Sequence, residues 1–176
     1  MMPNVDEKIC RLEASLFLDE ASRNLRIPKV ANATAHVFFH RFYALQSPKK
    51  HSCFEVATTC LFLASKVEES ARKLENVIIT CYCLWHYVST TSNSALLRMG
   101  PQVYSDLRLR ILKCERILLH TISFDLCVEH PYKFLIETIK AVHHSGMIKD
   151  TQKKDFAQRA VNFVNDRCDP PQIKQQ

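Results

Sequence analysis

Glu115 is the residue whose position in the sequence most clearly demands a partner. In the helix predicted from Tyr104 to about Thr121, apolar side chains cover one arc at about 100° per residue, and Glu115 falls near the middle of that arc. Burying an unpaired carboxylate is costly or forces its protonation, so a cation from a neighbouring helix is expected. The best candidate is Lys66, the first charged residue after a long uncharged run. Alternatively, the helix is rotated slightly and Glu115 pairs with a local arginine at a solvated edge.

Other residues that could do chemistry lack the neighbours which that chemistry needs. His36 and His40 are four residues apart, a spacing that could hold a metal, but Val37 stands where a zinc protease places its glutamate. Glu68 and Glu69 are adjacent, and adjacent residues on a helix point in different directions, so they do not converge as an acid and base pair. We therefore predict no catalytic residue, no metal site and no cofactor.

The scarcity of glycine excludes several classes of binding site and makes some folds improbable. The 176 residues contain two glycines, Gly100 and Gly146. Glycine-rich phosphate-binding loops, dinucleotide fingerprints and the nucleophile elbow of hydrolases cannot be built without clustered glycines. The tight turns of an all-β domain prefer glycine as well. Because 47% of the residues are apolar and 24% charged, the chain has the composition of a folded domain, and we predict that it is all-α.

The cysteines and the net charge of the chain indicate which cellular compartment and which binding partners to expect. The eight cysteines form no C-x-x-C pair of the kind that zinc modules use, so we interpret them as small core residues in a reducing compartment. No secretory signal is recognised. The longest uncharged run, Val56 to Ser65, is about half of the ~20 residues that a membrane crossing needs, so no membrane association is predicted. The net charge of +6 is dispersed, as on a solvated surface, and is also compatible with a polyanionic partner.

Apolar residues spaced by three and four predict a chain of helices with short polar breaks. The third helix carries no charge from Val56 to Ala64 and so has no solvent face, which makes it the central, buried helix. The predicted helices run from about Asp6 to Leu25, from after Pro28 to Leu45, from near Ser52 onward, from Leu74 to Tyr87, from Tyr104 to Thr121, from Pro131 to Val142 and from Thr151 to Asn165, with a loop over Ser89 to Ser94.

Three blocks of sequence, taken in order, resemble a cyclin box. They are HRFY at His40–Tyr43, LFLASKVEE at Leu61–Glu69 and ERILLHTISFDL at Glu115–Leu126. Two further blocks, VEHPYKFL at Val128–Leu135 and FVND at Phe163–Asp166, are similar to the transcriptional cyclins, most closely cyclin K and next cyclin T. Each block is modest alone, but their order and spacing make the likeness specific.

The resemblance implies a fold and a set of contact residues. It implies a five-helix bundle around the third helix over residues 1–127, followed over residues 128–176 by an incomplete second cyclin repeat of two helices. Lys66 and Glu115 match the family's paired lysine and glutamate, which face the partner kinase. By the same likeness, the contacts beside that pair are Val67, Leu119 and Phe124, which are apolar, and Arg116, which is a polar rim contact.

The function implied by the resemblance is activation of a cyclin-dependent serine/threonine kinase of the transcription class, one that phosphorylates the RNA polymerase II C-terminal tail. The chain would form a heterodimer with that kinase in the nucleus, perform no chemistry itself and bind no nucleic acid directly. The alternative is a TFIIB-type general transcription factor, which shares the helical repeat and binds promoter DNA through basic residues.

Two departures from the family pattern affect this interpretation. The second repeat has only two of its five helices, which would leave apolar residues exposed, namely Phe134, Ile139, Val161 and Phe163. The substrate-docking motif of cell-cycle cyclins has no match over Lys8 to Leu16, so recruitment of cell-cycle substrates is not predicted.

Overall fold

Helices account for most of the chain that the computed structural model describes, which is residues 5–86, 99–145 and 152–168. No strand occurs within these ranges, in agreement with the predicted all-α class. The helices are α1 (Val5–Asn24), α2 (Lys29–Leu45), α3 (Cys53–Val67), α4 (Leu74–Trp85), α5 (Pro101–Thr121), α6 (Pro131–His144) and α7 (Lys153–Cys168).

Prolines explain where several of these helices begin. Pro28 precedes α2, and Pro101 and Pro131 occupy the first turns of α5 and α6, where a missing N–H costs nothing and the fixed φ suits the helix. Helix α5 therefore starts three residues before the predicted Tyr104. It follows Gly100, whose φ of 71° lies in the region that glycine adopts without strain. The loop predicted over residues 89–94 lies outside the described residues.

The core of the first bundle is built around α3. Ten consecutive residues of this helix, from Val56 to Ser65, are buried, and α3 contacts α1, α2, α4 and α5. On α2, the phenylalanines Phe38, Phe39 and Phe42 are fully buried. The prediction of a central helix without a solvent face is therefore confirmed. The physical reason is that an uncharged helix is stable only where other helices surround it.

The chain divides into two compact units, Met1–Cys127 and Val128–Gln176. In the second unit, the Tyr132 hydroxyl donates to Asn165 Oδ1 at 3.1 Å, which joins α6 to α7. None of its described side chains is fully buried. Four apolar residues of this unit were expected to be exposed. Phe134 and Phe163 are exposed, whereas Ile139 and Val161 are half-buried. None of the described helices is long and apolar enough to span a bilayer.

The cysteines do not all behave as the sequence suggested. Cys60, Cys81, Cys83 and Cys114 are buried, as predicted, and burial raises the pKa of Cys81 to about 12. The interpretation is wrong for Cys10 and Cys53, which form a disulfide between α1 and the start of α3, and for Cys127, which is exposed. The Cα atoms of the disulfide pair lie 6.5 Å apart, within the range that a bridge can span.

His36 belongs to a structural cluster between α1 and α2. His36 Nε2 lies 3.1 Å from Asp19 Oδ1, and Asn32 Nδ2 donates to the same oxygen at 2.6 Å. Burial alone would raise the pKa of Asp19, but the hydrogen bonds to His36 and Asn32 outweigh it, and the pKa lies below its ordinary value. Neither His36 nor His40 joins a group of three metal-ligating side chains in the described part of the chain.

Candidate functional site

Lys66, in the last turn of α3, meets Glu115, in the C-terminal half of α5. The Lys66 Nζ atom donates a hydrogen bond to Glu115 Oε1. The lysine side chain is 40% exposed, whereas the glutamate side chain is 13% exposed. The carboxylate is thus largely covered while its cation faces outward, and the local-arginine alternative for Glu115 is not the arrangement that forms.

The aromatic ring of Phe62 lies beneath the Lys66 ammonium group. The Lys66 Nζ atom lies 4.2 Å from the centroid of the Phe62 ring, and the two residues are one turn apart on α3. A cation over an aromatic face is attracted by the negative charge of the ring face. This contact was not predicted from the sequence, although the spacing of four residues between a phenylalanine and a lysine could have indicated it.

The end of α3 that bears Lys66 is anchored from two sides. The Thr34 hydroxyl of α2 donates to Glu68 Oε1 at 2.6 Å. Beyond the helix, the Glu69 N–H donates to the Lys66 carbonyl at 3.2 Å, with Glu69 in the left-handed region at a φ of 52°. Val67 lies half-buried between these contacts. The backbone that carries the lysine is therefore fixed, which favours one orientation of the ion pair.

Phe124 is held outward by an unusual turn after α5. Ser123 and Phe124 both have positive φ, 55° and 56°, a conformation that costs L-residues about 1 kcal/mol or more. The Phe124 N–H donates to the Leu119 carbonyl at 2.9 Å. The ring packs edge-on against His120, with centroids 5.4 Å apart, and Phe124 is 58% exposed. A large apolar side chain is thus displayed rather than folded into the core.

Arg41 secures that turn from α2. Its Nη1 atom donates to the Asp125 carbonyl at 3.0 Å and to Asp125 Oδ2 at 3.1 Å. Its Nη2 atom reaches the Cys127 carbonyl at 3.5 Å. This arginine belongs to the HRFY block, and nothing in the sequence pattern indicated a role for it. Its position gives it one, because two of its nitrogens fix the backbone immediately after Phe124.

The structure brings most of the predicted residues to one place, which we call the α3–α5 surface: Lys66, Val67, Glu115, Leu119 and Phe124. Lys66 and Glu115 are bonded directly, and a backbone hydrogen bond joins Leu119 to Phe124. Arg116 is exposed and lines a shallow concavity with Lys113, Ile117 and His120, the histidine whose ring packs against Phe124. Apolar neighbours of a charged pair give a protein partner surface to bury, and the charged pair fixes the alignment of that partner.

Known proteins resemble this chain over most of its length. The family described as "Cyclin, N-terminal domain" matches residues 2–127. Cyclin-T1-3 of Oryza sativa subsp. japonica is 39% identical over 160 residues, which are 91% of this chain and 31% of that protein. Cyclin pch1 of Schizosaccharomyces pombe is 38% identical over 165 residues, 94% of this chain and 45% of that protein. Cyclin-K of Homo sapiens is 36% identical over 156 residues, 89% of this chain and 24% of that protein. The chain spans less than half the length of each of these relatives.

Proposed function

This chain belongs to the cyclin family, and from that membership we propose that it is the activating subunit of a cyclin-dependent serine/threonine kinase of the transcription class. The observation that carries the proposal is the Lys66–Glu115 ion pair between two helices, in which the lysine is 40% exposed and the glutamate is 13% exposed. Its relatives include cyclins named T, K and pch1. They lend no support to the TFIIB-type alternative.

The proposed mechanism is a shift of the kinase population. An active kinase needs a glutamate on one of its helices to meet the lysine that holds the nucleotide phosphates. A cyclin that binds this arrangement better than the inactive one favours catalysis by the difference in binding free energy. The α3–α5 surface would supply that binding, with the ion pair setting register and Phe124 supplying apolar area. All chemistry would belong to the kinase, and this chain would contribute no catalytic residue.

The proposal extends to location and substrate. A transcription-class kinase acts on the C-terminal tail of RNA polymerase II, so we place the heterodimer in the nucleus. We further propose that Val128–Gln176 is the start of a second cyclin repeat. Two helices without a fully buried described side chain fit the beginning of a repeat better than a finished domain.

Reconstitution tests the proposed function. The full chain is mixed with a purified transcription-class kinase freed of its own cyclin, and phosphorylation of a polymerase-tail peptide is followed. We expect a stable heterodimer and a rate increase of about tenfold or more, because the inactive kinase predominates without a cyclin. A chain that neither associates with such a kinase nor raises its rate would contradict the proposal. An affinity for promoter DNA that falls steeply as the salt concentration rises would support the TFIIB-type alternative instead.

Phe124 offers a second measurement on the same complex. Truncating it in a Phe124→Ala variant is expected to weaken kinase binding by about thirtyfold, because a displayed aromatic residue typically contributes about 2 kcal/mol at an interface. The free energy of unfolding should change by less than about 0.5 kcal/mol, since the side chain is mostly exposed. Isothermal titration calorimetry and urea denaturation give the two quantities.

Leu109→Ala is the matched control, because Leu109 is 61% exposed on α5 but lies ten residues before Leu119. That separation is about 15 Å along the helix. Its truncation should leave the Kd unchanged. Equal losses in the two variants would mean that the partner contacts exposed apolar side chains without regard to their position, and would remove Phe124 from the site.

A further inference from the structure

The turn between α2 and α3 carries a motif that the proposed function does not use. Ser47, Pro48, Lys49 and Lys50 follow the end of α2 at Leu45. Both lysines are exposed, and the serine and proline are partly exposed. No acidic residue occurs between Gln46 and Phe54. The segment is therefore an accessible, basic turn centred on a serine–proline bond.

The hydroxyl of Ser47 is available for chemistry. In the described part of the chain it makes one hydrogen bond, accepting the Lys49 N–H at 3.3 Å, near the long limit for such a bond. Its proton is not donated to another group there. The Ser47 carbonyl accepts the Lys50 N–H at 3.0 Å and the His51 N–H at 3.4 Å, so the chain folds back immediately after the serine.

We propose that Ser47 is a phosphoacceptor for a proline-directed serine/threonine kinase. Proline has no backbone N–H, so a kinase pocket that offers no acceptor to the residue after the serine accepts Pro48 without leaving a donor unpaired. Lys50, three residues after the serine, supplies a cation for an anionic surface of the kinase. The absence of acidic residues from the turn removes repulsion from such a surface. These are the features by which this class of kinase selects substrates.

The reaction is an ordinary phosphoryl transfer. The Ser47 Oγ atom forms a bond to the γ-phosphorus of ATP, and the bond between that phosphorus and the β,γ-bridging oxygen breaks, releasing ADP. The hydroxyl proton passes to the catalytic carboxylate of the kinase. The product carries a charge of about −1.5 to −2 beside Lys49 and Lys50, so the turn changes from basic to nearly neutral.

The acceptor lies near the opposite end of α3 from Lys66. Ser47 precedes the first residue of α3, whereas Lys66 is in its last turn. At ~1.5 Å per residue, Lys66 lies about 20 Å along this helix from its first residue, Cys53. Ser47 is not among the residues of the α3–α5 surface, and the inference does not depend on the proposed function.

The test uses the full chain, Mg²⁺, labelled ATP and an activated cell-cycle cyclin-dependent kinase saturated with its own cyclin. We expect about one phosphate per chain, located on Ser47 by fragment mass spectrometry. Ser47→Ala should abolish the incorporation. Pro48→Ala keeps the hydroxyl and should lower the initial rate by about tenfold or more, because it removes the selecting residue.

Ser52→Ala is the matched control. Ser52 lies in the same connection, is more exposed than Ser47, makes no side-chain capping hydrogen bond to α3 and is followed by Cys53. Its variant should be phosphorylated at the unaltered rate. Phosphate on Ser52, an unchanged rate in Pro48→Ala, or no phosphate on the folded wild-type chain would each overturn the inference. Because the added kinase brings its own cyclin, none of these results bears on whether this chain activates a kinase.

Discussion

Reversing the charge at Lys66 is expected to weaken kinase binding by more than about a hundredfold, the largest effect among the variants considered. The Lys66→Glu variant places two carboxylates together where an ion pair now forms and removes the cation from the face of Phe62. Disrupting a hydrogen-bonded charge pair at an interface costs about 2–5 kcal/mol, and 2.7 kcal/mol is a hundredfold in Kd. Calorimetric titration with the purified kinase measures the loss.

The fold should survive that substitution. Lys66 lies in the last turn of α3 with 40% of its side chain exposed, so circular dichroism should show nearly unchanged helical content. Lys66→Met keeps the packing over Phe62 without the charge and should give an intermediate loss of about tenfold. Lys113→Glu, an equal change of charge at an exposed position of α5, should bind almost normally. Unaltered binding by Lys66→Glu would remove the ion pair from the mechanism.

Breaking the Cys10–Cys53 disulfide is expected to lower the free energy of unfolding by about 3–4 kcal/mol. The bridge closes a segment with a sequence separation of 43 residues and so restricts the unfolded chain. Because reducing compartments keep such thiols free, the comparison is made between the oxidised chain and the same chain in dithiothreitol. Urea denaturation followed by circular dichroism gives the difference.

Two variants separate the bridge from other effects of thiol chemistry. Cys53→Ser should be as unstable in oxidising buffer as the wild-type chain is in dithiothreitol, and its stability should no longer depend on the reductant. Cys127→Ser is the control, since Cys127 is an exposed free thiol and its removal should change little. Titration of denatured samples should count two more free thiols in the reduced chain than in the oxidised one. Equal counts would show that the bridge does not form.

The main features of the fold could be predicted from the sequence because they depend on local spacing. The uncharged run from Val56 to Ser65 can be stable only when surrounded, and α3 is the central helix. The scarcity of glycine excluded the loops of nucleotide-binding folds. Glu115 lies on an apolar arc of its own helix, so its need for a cation was visible without any knowledge of its neighbours.

Other features depended on distances between residues far apart in the chain. Nothing in the sequence distinguishes Cys10 and Cys53 from the buried cysteines, because a disulfide is decided by how α1 lies against α3. Arg41 lies 84 residues before Asp125, and only the packed bundle brings its guanidinium to the turn that displays Phe124.

The sequence by itself determined that the chain is helical, which helix is central and which carboxylate needs a cation, because helix formation and burial follow from residue types within a few turns. Only the tertiary structure decided that the lysine faces outward, which cysteines meet and what supports Phe124. Those outcomes depend on the packing of whole helices, and their contacts form only when segments distant in the chain come together.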